Sequence, residues 1–342
     1  MKRGWCPSLY APMASGDGLL VRVKPPGARL TPGQALAFAE ACGRFGNGVV
    51  ELTQRGNLQV RGLATGTVGP FAAAMVAAGL AEADPALEVR RVVMAPVLLG
   101  DDPGMAGDAG EMVAGLEAAF LADERLAGLP GKFALAVDAG GVLGGRAVAA
   151  DLVAWTDGRA RGVSVACRDV AAAPVGFLPY GETGVGAFGC APPFGQMGAG
   201  DLVRLAEVAG RLGTVIWVSA WRTLLLGQIG VDGVDRVMAA LGECPGPGFI
   251  TDAGDARLQV TACPGGPACG SGSVAARRDA GRLRPSVPVH VSGCAKGCAH
   301  PGVAAWTLVG REGLYDVVRD GRAGDAPMAV GLAFEDAMGF VR

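Results

Sequence analysis

The sequence is poor in the residues that most metal and nucleic-acid sites use. Its 342 residues include only two histidines, His290 and His300, which are too few for a zinc or copper site built mainly from imidazoles. Lysine is almost as scarce, so arginine carries nearly all of the positive charge. The formal net charge is −2 and charged residues make up 18% of the chain. This balance gives no basic excess that would favour nucleic acid or an anionic membrane as a partner.

Long uncharged apolar runs are also missing. No such stretch reaches the roughly 18 residues needed to cross a bilayer. The basic residues at the start are not followed by an apolar run, so we expect no signal peptide there. We therefore expect a soluble, cytoplasmic protein. Its nine cysteines are an odd number in a long chain, which disfavours a disulfide framework and favours a metal site.

Four cysteines near the C-terminus form two spaced pairs, Cys263-x5-Cys269 and Cys294-x3-Cys298, each in a loop rich in glycine. Thiolates are soft ligands, and four of them select zinc or an iron–sulfur cluster. The five-residue gap is wide for a zinc knuckle, although the three-residue gap would fit one. The glycines expose backbone N–H groups that can hydrogen-bond cluster sulfides, which favours iron–sulfur over zinc or unligated thiols. The other cysteines lack such spacing and are expected to be free thiols: Cys6, Cys42, Cys167, Cys190 and Cys244.

The chain contains an internal repeat. Residues 34–63 align with residues 200–229, and each copy reads as a strand, a turn, an amphipathic helix and a strand. A period of about 166 residues is too long for a solenoid and indicates a duplicated half-molecule with a pseudo-twofold axis. A ligand is expected between such halves. An αβ segment follows each repeat, and only the second contains the clustered cysteines, which predicts a single metal centre.

The pattern also predicts individual elements of these two αβ segments. The cysteine loops each follow a predicted strand, and a strand–loop–helix–strand–loop unit places both loops at the same end of parallel strands. The predicted strands are residues 89–93, 132–137, 258–261 and 287–291, and the predicted helices are residues 109–126 and 273–284.

Together, the cysteine pairs and the duplicated scaffold resemble the nitrite/sulfite reductase family. Residues 52–63, 89–96 and 129–133 are similar to further stretches of that family. The resemblance implies an α+β fold with two ferredoxin-like half-domains about a pseudo-twofold axis and two αβ domains. It also implies one 4Fe–4S cluster bound by the four clustered cysteines beside a siroheme. The implied domains are residues 1–70 and 165–235 for the half-domains, and 80–160 and 240–342 for the αβ domains, the last carrying the cluster.

Some positions depart from the family pattern. Gly131 and Ala134 stand where the family has basic residues, and the turn at residues 219–223 carries Arg222. The chain is also shorter than typical sulfite reductases. With these departures, and in the sequences of residues 15–23 and 291–301, the chain resembles an oxygen-dependent branch of the family.

That branch implies a monooxygenase of aerobic cobalamin biosynthesis. Its substrate is precorrin-3A, which is hydroxylated at C20 with closure of a γ-lactone. The implied cofactors are the cluster and a non-haem iron that activates O₂, and the implied partners are O₂ and an electron donor, with neither nucleic acid nor membrane. Carboxylates of the tetrapyrrole need cations, and arginine suits them by its bidentate geometry. The predicted substrate-binding residues are Arg55, Arg61, Arg90, Lys132 and Arg222, with Arg22 and Arg91 as weaker candidates that surface ion pairs would also explain.

The ligands of the second iron are not evident from the sequence. His300 is the candidate catalytic residue, and the alternative is a loop histidine that hydrogen-bonds backbone. A triad of two histidines and a carboxylate would also need His290, which is predicted to lie within a strand. Lys296 lies between two cysteines, where its charge would favour the reduced cluster; the alternative is a solvated loop lysine.

Two other functions fit parts of the sequence. A siroheme-dependent nitrite or sulfite reductase would share the cluster motif, but Ala134 replaces a lysine that it would need. An electron carrier would use the cluster alone and would need neither the repeat nor the arginines.

Overall fold

The computed structural model describes residues 7–129, 133–146, 148–165, 173–244 and 248–341. The described residues form two compact units. We call the described part of Met1–Met13 and Leu19–Thr251 the duplicated unit, and that of Ala14–Gly18 and Asp252–Arg342 the cysteine unit. Across these described residues, no helix is both long enough and apolar enough to cross a membrane.

The described residues between 7 and 251 form six α-helices and fourteen strands. The helices are α1 (Pro32–Phe45), α2 (Thr65–Ala77), α3 (Pro85–Arg90), α4 (Ala109–Ala122), α5 (Ala199–Leu212) and α6 (Val231–Gly242). The strands are β1 (Met13–Ser15), β2 (Gly18–Val23), β3 (Arg29–Leu30), β4 (Val49–Leu52), β5 (Leu58–Leu63), β6 (Val93–Met94), β7 (Leu135–Asp138), β8 (Leu152–Thr156), β9 (Arg161–Val165), β10 (Gly176–Pro179), β11 (Val185–Cys190), β12 (Gln196–Gly198), β13 (Ile216–Val218) and β14 (Leu224–Gly230). Residues 14–15 of β1 and residue 18 of β2 belong to the cysteine unit.

The predicted duplication is confirmed by the sheets. One five-stranded sheet has the order β1-β2-β5-β4-β12 and the other β10-β11-β14-β13-β3, so corresponding strands occupy corresponding places. Each repeat also contributes one strand to the sheet of the other repeat. Strand β12 of the second repeat pairs antiparallel with β4, and β3 of the first pairs antiparallel with β13. This reciprocal pairing is the arrangement that a pseudo-twofold axis between the repeats produces.

The two repeats share one hydrophobic core. Helix α1 begins at a capping box in which Thr31 and Gln34 satisfy each other's backbone N–H groups. Its buried face includes Phe38, and helix α5, which packs against α1, buries Leu202 and Leu205. All of these side chains belong to the same core cluster. Full burial of a side chain of this size stabilises the fold by about 2 kcal/mol, so the helix pair binds the two repeats together.

The αβ segment of the first repeat differs from its prediction at one strand. Its sheet has the order β6-β7-β8-β9, with β6, β7 and β8 parallel and β9 antiparallel. The strand predicted at residues 89–93 is wrong, because α3 extends to Arg90 and β6 is limited to Val93–Met94. Asp84 accepts a hydrogen bond from Ala86 N–H, and Pro85 occupies the first helical position. These helix-start signals outweigh the β-branched residues that follow.

Two further boundaries in this segment lie away from their predicted positions. The helix predicted to end near residue 126 ends at Ala122, where Asp123 starts a separate 3-10 helix, Glu124–Gly128, by accepting a hydrogen bond from Arg125 N–H. The strand predicted at residues 132–137 is β7, Leu135–Asp138. Residues 130–132 lie outside the described part of the chain.

The described residues of the cysteine unit form one five-stranded sheet of order β15-β16-β17-β18-β19. Strands β15, β16 and β17 are parallel, and the remaining pairings are antiparallel. The strands are β15 (Val260–Ala262), β16 (Val289–Ser292), β17 (Ala304–Arg311), β18 (Leu314–Gly321) and β19 (Ala329–Leu332), and the helices are α7 (Ala276–Ala280) and α8 (Phe334–Met338).

The helix predicted at residues 273–284 is shorter than expected. Helix α7 occupies only Ala276–Ala280. Ser273 N–H donates to the Gly293 carbonyl, and the Val274 carbonyl accepts from Gly266 N–H. Because these backbone groups bond to neighbouring loops, the chain cannot enter a helix before them.

Candidate functional site

The two cysteine loops leave the sheet side by side. Cys263 directly follows β15 and Cys294 follows β16, and these strands are parallel with Ala262 opposite Val291. The predicted placement of both loops at one end of parallel strands is therefore confirmed. Cys263 N–H also donates to the Val291 carbonyl at 3.2 Å. The site thus begins with two sulfur-bearing loops on neighbouring strands.

Three of the four thiols act electrostatically on the fourth, Cys298. The pKa of the Cys298 thiol is raised first by partial burial and then by the charges of Cys294, Cys263 and Cys269. Cys263 is buried, Cys269 and Cys294 are half-buried, and Cys298 is exposed. Over the described ranges, no three His, Cys, Asp or Glu side chains converge on a point that could hold a single metal ion.

Glycines allow the two cysteine loops to meet in backbone contact. A Cβ atom on Gly293 would lie 2.9 Å from Gly265 Cα and 3.4 Å from Cys263 Sγ. Gly265 has a φ of +68°, and a Cβ there would lie 2.4 Å from Ala276 N. Gly293 N–H donates to Cys263 Sγ at 3.0 Å. Side chains at these glycines would force the loops apart.

The first cysteine loop is also held by the N-terminal segment of the cysteine unit. Ser15 Oγ donates to the Ala268 carbonyl at 2.7 Å, and Gly16 N–H donates to the same carbonyl at 3.1 Å. A Cβ on Gly16 would lie 2.2 Å from the Pro267 carbonyl oxygen. Sequence reasoning missed this contact, because no pattern in the sequence indicates that Ser15 and Ala268, 253 positions apart, are neighbours in the fold.

Both histidines lie beside the second cysteine loop. His290 is fully buried in β16, as predicted, and its ring meets that of His300 edge to face with centroids 5.7 Å apart. His300 Nε2 lies 3.1 Å from the Val303 carbonyl oxygen. This contact matches the alternative given for His300, a loop histidine that hydrogen-bonds the backbone. Lys296 Nζ donates to Ser271 Oγ at 2.9 Å and so links the two loops.

In the duplicated unit, two turns correspond residue for residue. In the β4–β5 turn, Thr53 N–H donates to the Asn57 carbonyl and Thr53 Oγ1 accepts from Asn57 N–H. In the β13–β14 turn, Ser219 N–H donates to the Thr223 carbonyl and Ser219 Oγ accepts from Thr223 N–H. A Cβ on Gly56 would lie 3.0 Å from the Val218 carbonyl oxygen, so the turns are in contact.

The predicted arginines of the first sheet occupy different environments. Arg55 lies on the β4–β5 turn, where its backbone N–H donates to Thr53 Oγ1 at 3.3 Å. Arg61 on β5 is 3% exposed and pairs with Glu51, with 3.3 Å between Nη1 and Oε2. Arg22 on β2 donates to Gln59 Oε1 at 3.2 Å. The charge of Arg61 is thus matched within the protein.

Arg90 and Arg91 point to different partners. Arg90 Nη1 donates to the Leu121 carbonyl at 2.9 Å. Arg91 Nη1 donates to Glu88 Oε2 at 2.9 Å, and its Nη2 donates to the Lys24 carbonyl at 2.6 Å. Lys132, also predicted as a substrate-binding residue, lies outside the described residues.

Lys24 is a half-buried cation that sequence reasoning missed. Its Nζ donates to the Glu88 carbonyl at 3.0 Å. Burial lowers the pKa of Lys24 to about 8; Glu88 opposes this, and the positive charges of Arg91, Arg22 and Arg55 add to it. We call Arg22, Lys24, Arg55 and Arg91 the basic cluster. The signal that could have found Lys24 is its two-residue spacing from Arg22, which places both on one face of an extended chain.

Clustered cations of this kind repel one another and attract anions. Arg22 lies in β2 and Lys24 directly after it, Arg55 lies on the β4–β5 turn, and Arg91 follows α3, so the fold assembles the basic cluster from three separate stretches of sequence. A ligand with several carboxylates would relieve their mutual repulsion.

Comparison with known proteins agrees with the fold. Residues 11–78 match the nitrite/sulfite reductase ferredoxin-like half domain. The structure of the Mycobacterium tuberculosis NirA protein superposes with a TM-score of 0.70 at 15% identity, covering 94% of this chain and 79% of that one. This likeness shows a shared α+β fold. A precorrin-3B synthase from Sinorhizobium sp is 31% identical in an alignment that covers 96% of this chain and 85% of that protein. Identity at this level over nearly the whole chain shows that the protein belongs to the precorrin-3B synthase family.

Proposed function

We propose that this enzyme converts precorrin-3A to precorrin-3B in aerobic cobalamin biosynthesis. The observation that carries the proposal is the 31% identity to a precorrin-3B synthase along 96% of the chain. The clustered cysteines favour the cytoplasm, where thiols stay reduced.

In this reaction the meso carbon C20 gains a hydroxyl group and an acetate of ring A closes as a γ-lactone. One atom of O₂ enters the product, and the other leaves as water after taking up two electrons and two protons. The product is therefore one oxygen atom heavier than precorrin-3A. The two electrons must come from an external donor.

The four cysteines are proposed to hold a 4Fe–4S cluster. In support, Cys263, Cys269 and Cys294 all act electrostatically on Cys298, and the four lie on two adjoining loops. The five-residue gap between Cys263 and Cys269 is wide for a zinc knuckle, so the four thiolates suit a cluster better than zinc. Such a cluster supplies single electrons. The buried Gly293 N–H bonded to Cys263 Sγ would stabilise negative charge on that ligand.

We assign no ligands to a separate non-haem iron. The described residues contain no set of three His, Cys, Asp or Glu side chains that fits one. His300 remains the candidate catalytic residue, and its hydrogen bond to the Val303 carbonyl fixes its ring beside the second cysteine loop.

The basic cluster is proposed to bind carboxylates of the substrate. A buried or half-buried carboxylate needs a cation. Arg55 is the main predicted contact in this cluster, and the weaker candidates Arg22 and Arg91 also belong to it. Arg222 lies on the neighbouring turn and is proposed to act with it. Arg61 and Arg90 are also proposed to contribute to substrate binding. They would do so while Arg61 stays paired with Glu51 and Arg90 stays hydrogen-bonded to the Leu121 carbonyl. Lys132 completes the predicted set.

Labelled oxygen tests the proposal directly. Anaerobically purified protein is supplied with precorrin-3A, a reductant and ¹⁸O₂, and the product is analysed by mass spectrometry. We expect a product that carries one labelled oxygen atom and forms only when the protein, O₂ and the reductant are all present. Unchanged precorrin-3A under these conditions would contradict the proposal.

The visible spectrum of the same sample distinguishes the proposed oxygenase from the alternative, a siroheme-dependent nitrite or sulfite reductase. Siroheme gives strong visible bands, whereas a 4Fe–4S cluster alone gives one broad shoulder near about 400 nm. Siroheme bands together with reduction of nitrite or sulfite would establish the reductase instead.

A further inference from the structure

A buried pair of polar side chains lies beside the cysteine loops. The Tyr315 hydroxyl donates to Asp279 Oδ2 at 2.7 Å, and the two residues are 2% and 5% exposed. Tyr315 lies on β18, and its ring packs against that of Phe334 with centroids 5.6 Å apart. Asp279 lies on α7. The hydrogen bond therefore joins α7 to the sheet of the cysteine unit.

Asp279 is connected to the first cysteine loop through its own helix. A Cβ on Gly265 would lie 2.4 Å from Ala276 N and 3.0 Å from Ala276 Cβ, so α7 begins in contact with that loop. Ala276 and Asp279 are three positions apart and both buried, so they share the inner face of α7. Gly265 is two residues after Cys263. The carboxyl group thus lies about one helical turn from the loop that carries Cys263.

Tyr315 is connected to the same cysteine by a second route. It stands opposite Gly310 in the pairing of β17 with β18. A Cβ on Gly310 would lie 2.7 Å from the Gly293 carbonyl oxygen, and Gly293 N–H donates to Cys263 Sγ. Burial raises the pKa of Tyr315, the hydrogen bond and charge of Asp279 add to the rise, and the charge of Cys263 also contributes. The Tyr315 hydroxyl therefore lies within electrostatic range of Cys263, and Asp279 is hydrogen-bonded to that hydroxyl.

Asp279 carries a charge that water screens little. Both of its carboxyl oxygens accept hydrogen bonds, Oδ2 from Tyr315 and Oδ1 from Arg278 Nε at 3.1 Å, as those of an ionised carboxylate do. The Arg278 side chain is 79% exposed, so solvent weakens its compensation of that charge. A buried negative charge near a redox group disfavours the addition of an electron. This effect is opposite in sign to the one expected of Lys296.

We propose that Asp279, held by Tyr315, is a positioning residue whose charge lowers the reduction potential of the 4Fe–4S cluster. This inference rests on the proposed function, because it concerns the cluster assigned there to the four cysteines. The Tyr315 hydroxyl fixes the carboxylate in place, and a neutral amide could accept the same hydrogen bond. The charge of Asp279, and not its hydrogen bond, is therefore what the reduction potential should report.

Redox titration of the anaerobically purified protein at pH 8, followed by EPR, separates the charge from the hydrogen bond. Asp279→Asn keeps the shape and the acceptor for Tyr315 but removes the charge. At a fixed potential, its ratio of reduced to oxidised cluster should be about tenfold higher than in wild type, an increase of about 59 mV for one electron. Tyr315→Phe removes the hydroxyl and leaves the charge, so its ratio should equal that of wild type or be lower.

Asp316→Asn is the matched control. Asp316 follows Tyr315 on β18, so its side chain lies on the opposite face of the sheet. It is 4% exposed, and Arg311 Nε donates to its Oδ2 at 2.8 Å, so the variant removes a similarly buried and similarly paired charge. We expect its ratio of reduced to oxidised cluster to stay within about twofold of wild type.

Several outcomes would overturn the inference while the wild type keeps its cluster and oxygenates precorrin-3A, so that the proposed function stands. They are an unchanged ratio in Asp279→Asn, an equal increase in Asp316→Asn or Tyr315→Phe, and loss of iron and sulfide from Asp279→Asn. The last result would show that the pair only holds the loops in place. Wild-type protein without iron and sulfide would instead contradict the cluster of the proposed function, and the inference with it.

Discussion

Gly293 and Cys263 lie on different cysteine loops and are joined by a hydrogen bond from Gly293 N–H to Cys263 Sγ, with 3.0 Å between N and S. The contact is buried, and the glycine also lies against Gly265 of the first loop. A single residue thus sets both the separation of the loops and the environment of one thiolate. The position of Cys263 depends on Gly293 having no side chain.

Gly293→Ala is expected to disrupt cluster binding. Its Cβ would lie 2.9 Å from Gly265 Cα and 3.3 Å from Gly272 Cα, which are backbone atoms that cannot rotate away. Overpacking of this kind costs about 1–3 kcal/mol. We expect lower iron and acid-labile sulfide content and a lower Tm for the purified variant.

Gly270→Ala is the matched control for that variant. It lies in the first cysteine loop, and a Cβ there would meet no atom within 4 Å. Iron and sulfide contents equal to wild type are expected. Equal metal content in Gly293→Ala and Gly270→Ala would show that close contact of the loops is not needed for cluster binding.

Cys298→Ser is expected to abolish the cluster, although Cys298 is the most exposed of the four thiols. A serine hydroxyl is a hard, protonated group at neutral pH and replaces a thiolate poorly. Iron and sulfide analysis with EPR of the reduced protein measures the loss. Cys244→Ser, outside the two loops, is the control and should keep full iron and sulfide. Full metal content in Cys298→Ser would remove Cys298 from the proposed site.

Much of the cysteine unit could be predicted because its signal is local. Each cysteine pair follows an alternating apolar run, and parallel strands bring such loops together without further information. The strand predicted at residues 89–93 is wrong because Asp84 caps a helix that continues through Val89 to Arg90, although Val89, Val92 and Val93 favour a strand. Local helix-start chemistry decided the outcome, and the apolar residues alone could not show it.

The duplication could be predicted, whereas the strand exchange could not. Alignment of the repeats shows that Val50 and Ile216 correspond, but nothing in it shows that Met197 pairs with Val50. Edge pairing depends on how two folded halves meet. Lys24 was missed for a similar reason, because its lowered pKa arises from burial and from arginines brought together by folding.

Arg55→Ala is expected to weaken substrate binding and leave the cluster spectrum unchanged. Arg55 belongs to the basic cluster and lies on a turn of the duplicated unit, whereas the cysteines belong to the other unit. Loss of one charge-assisted contact, about 1.5–3 kcal/mol, should raise KM for precorrin-3A by about tenfold or more. Arg125→Ala is the control, because Arg125 has a side chain that is 90% exposed and pairs only locally with Asp123. Equal KM values for the two variants would remove Arg55 from the substrate site.

Lys24→Met is expected to stabilise the folded protein at pH 7. The pKa of Lys24 is about 8 in the folded protein and 10.5 ordinarily, so at pH 7 the charge is present in both states and its burial is unfavourable. The shift corresponds to roughly 3 kcal/mol at most. The lost hydrogen bond to the Glu88 carbonyl offsets part of it, which leaves a gain of about 1–2 kcal/mol. Urea unfolding at pH 7 measures the difference.

The same pKa fixes how the stability of wild type and variant should differ with pH. Between pH 8 and 10.5 the unfolded chain keeps the Lys24 proton that the folded protein has released. Because the unfolded state then binds more protons, the Lys24 contribution to the free energy of unfolding rises with pH across this range and is constant below it. The advantage of Lys24→Met should therefore be largest at pH 7 and shrink towards pH 10. An advantage that stays constant from pH 7 to pH 10 would show that Lys24 titrates at its ordinary pKa, and that the basic cluster does not act on it.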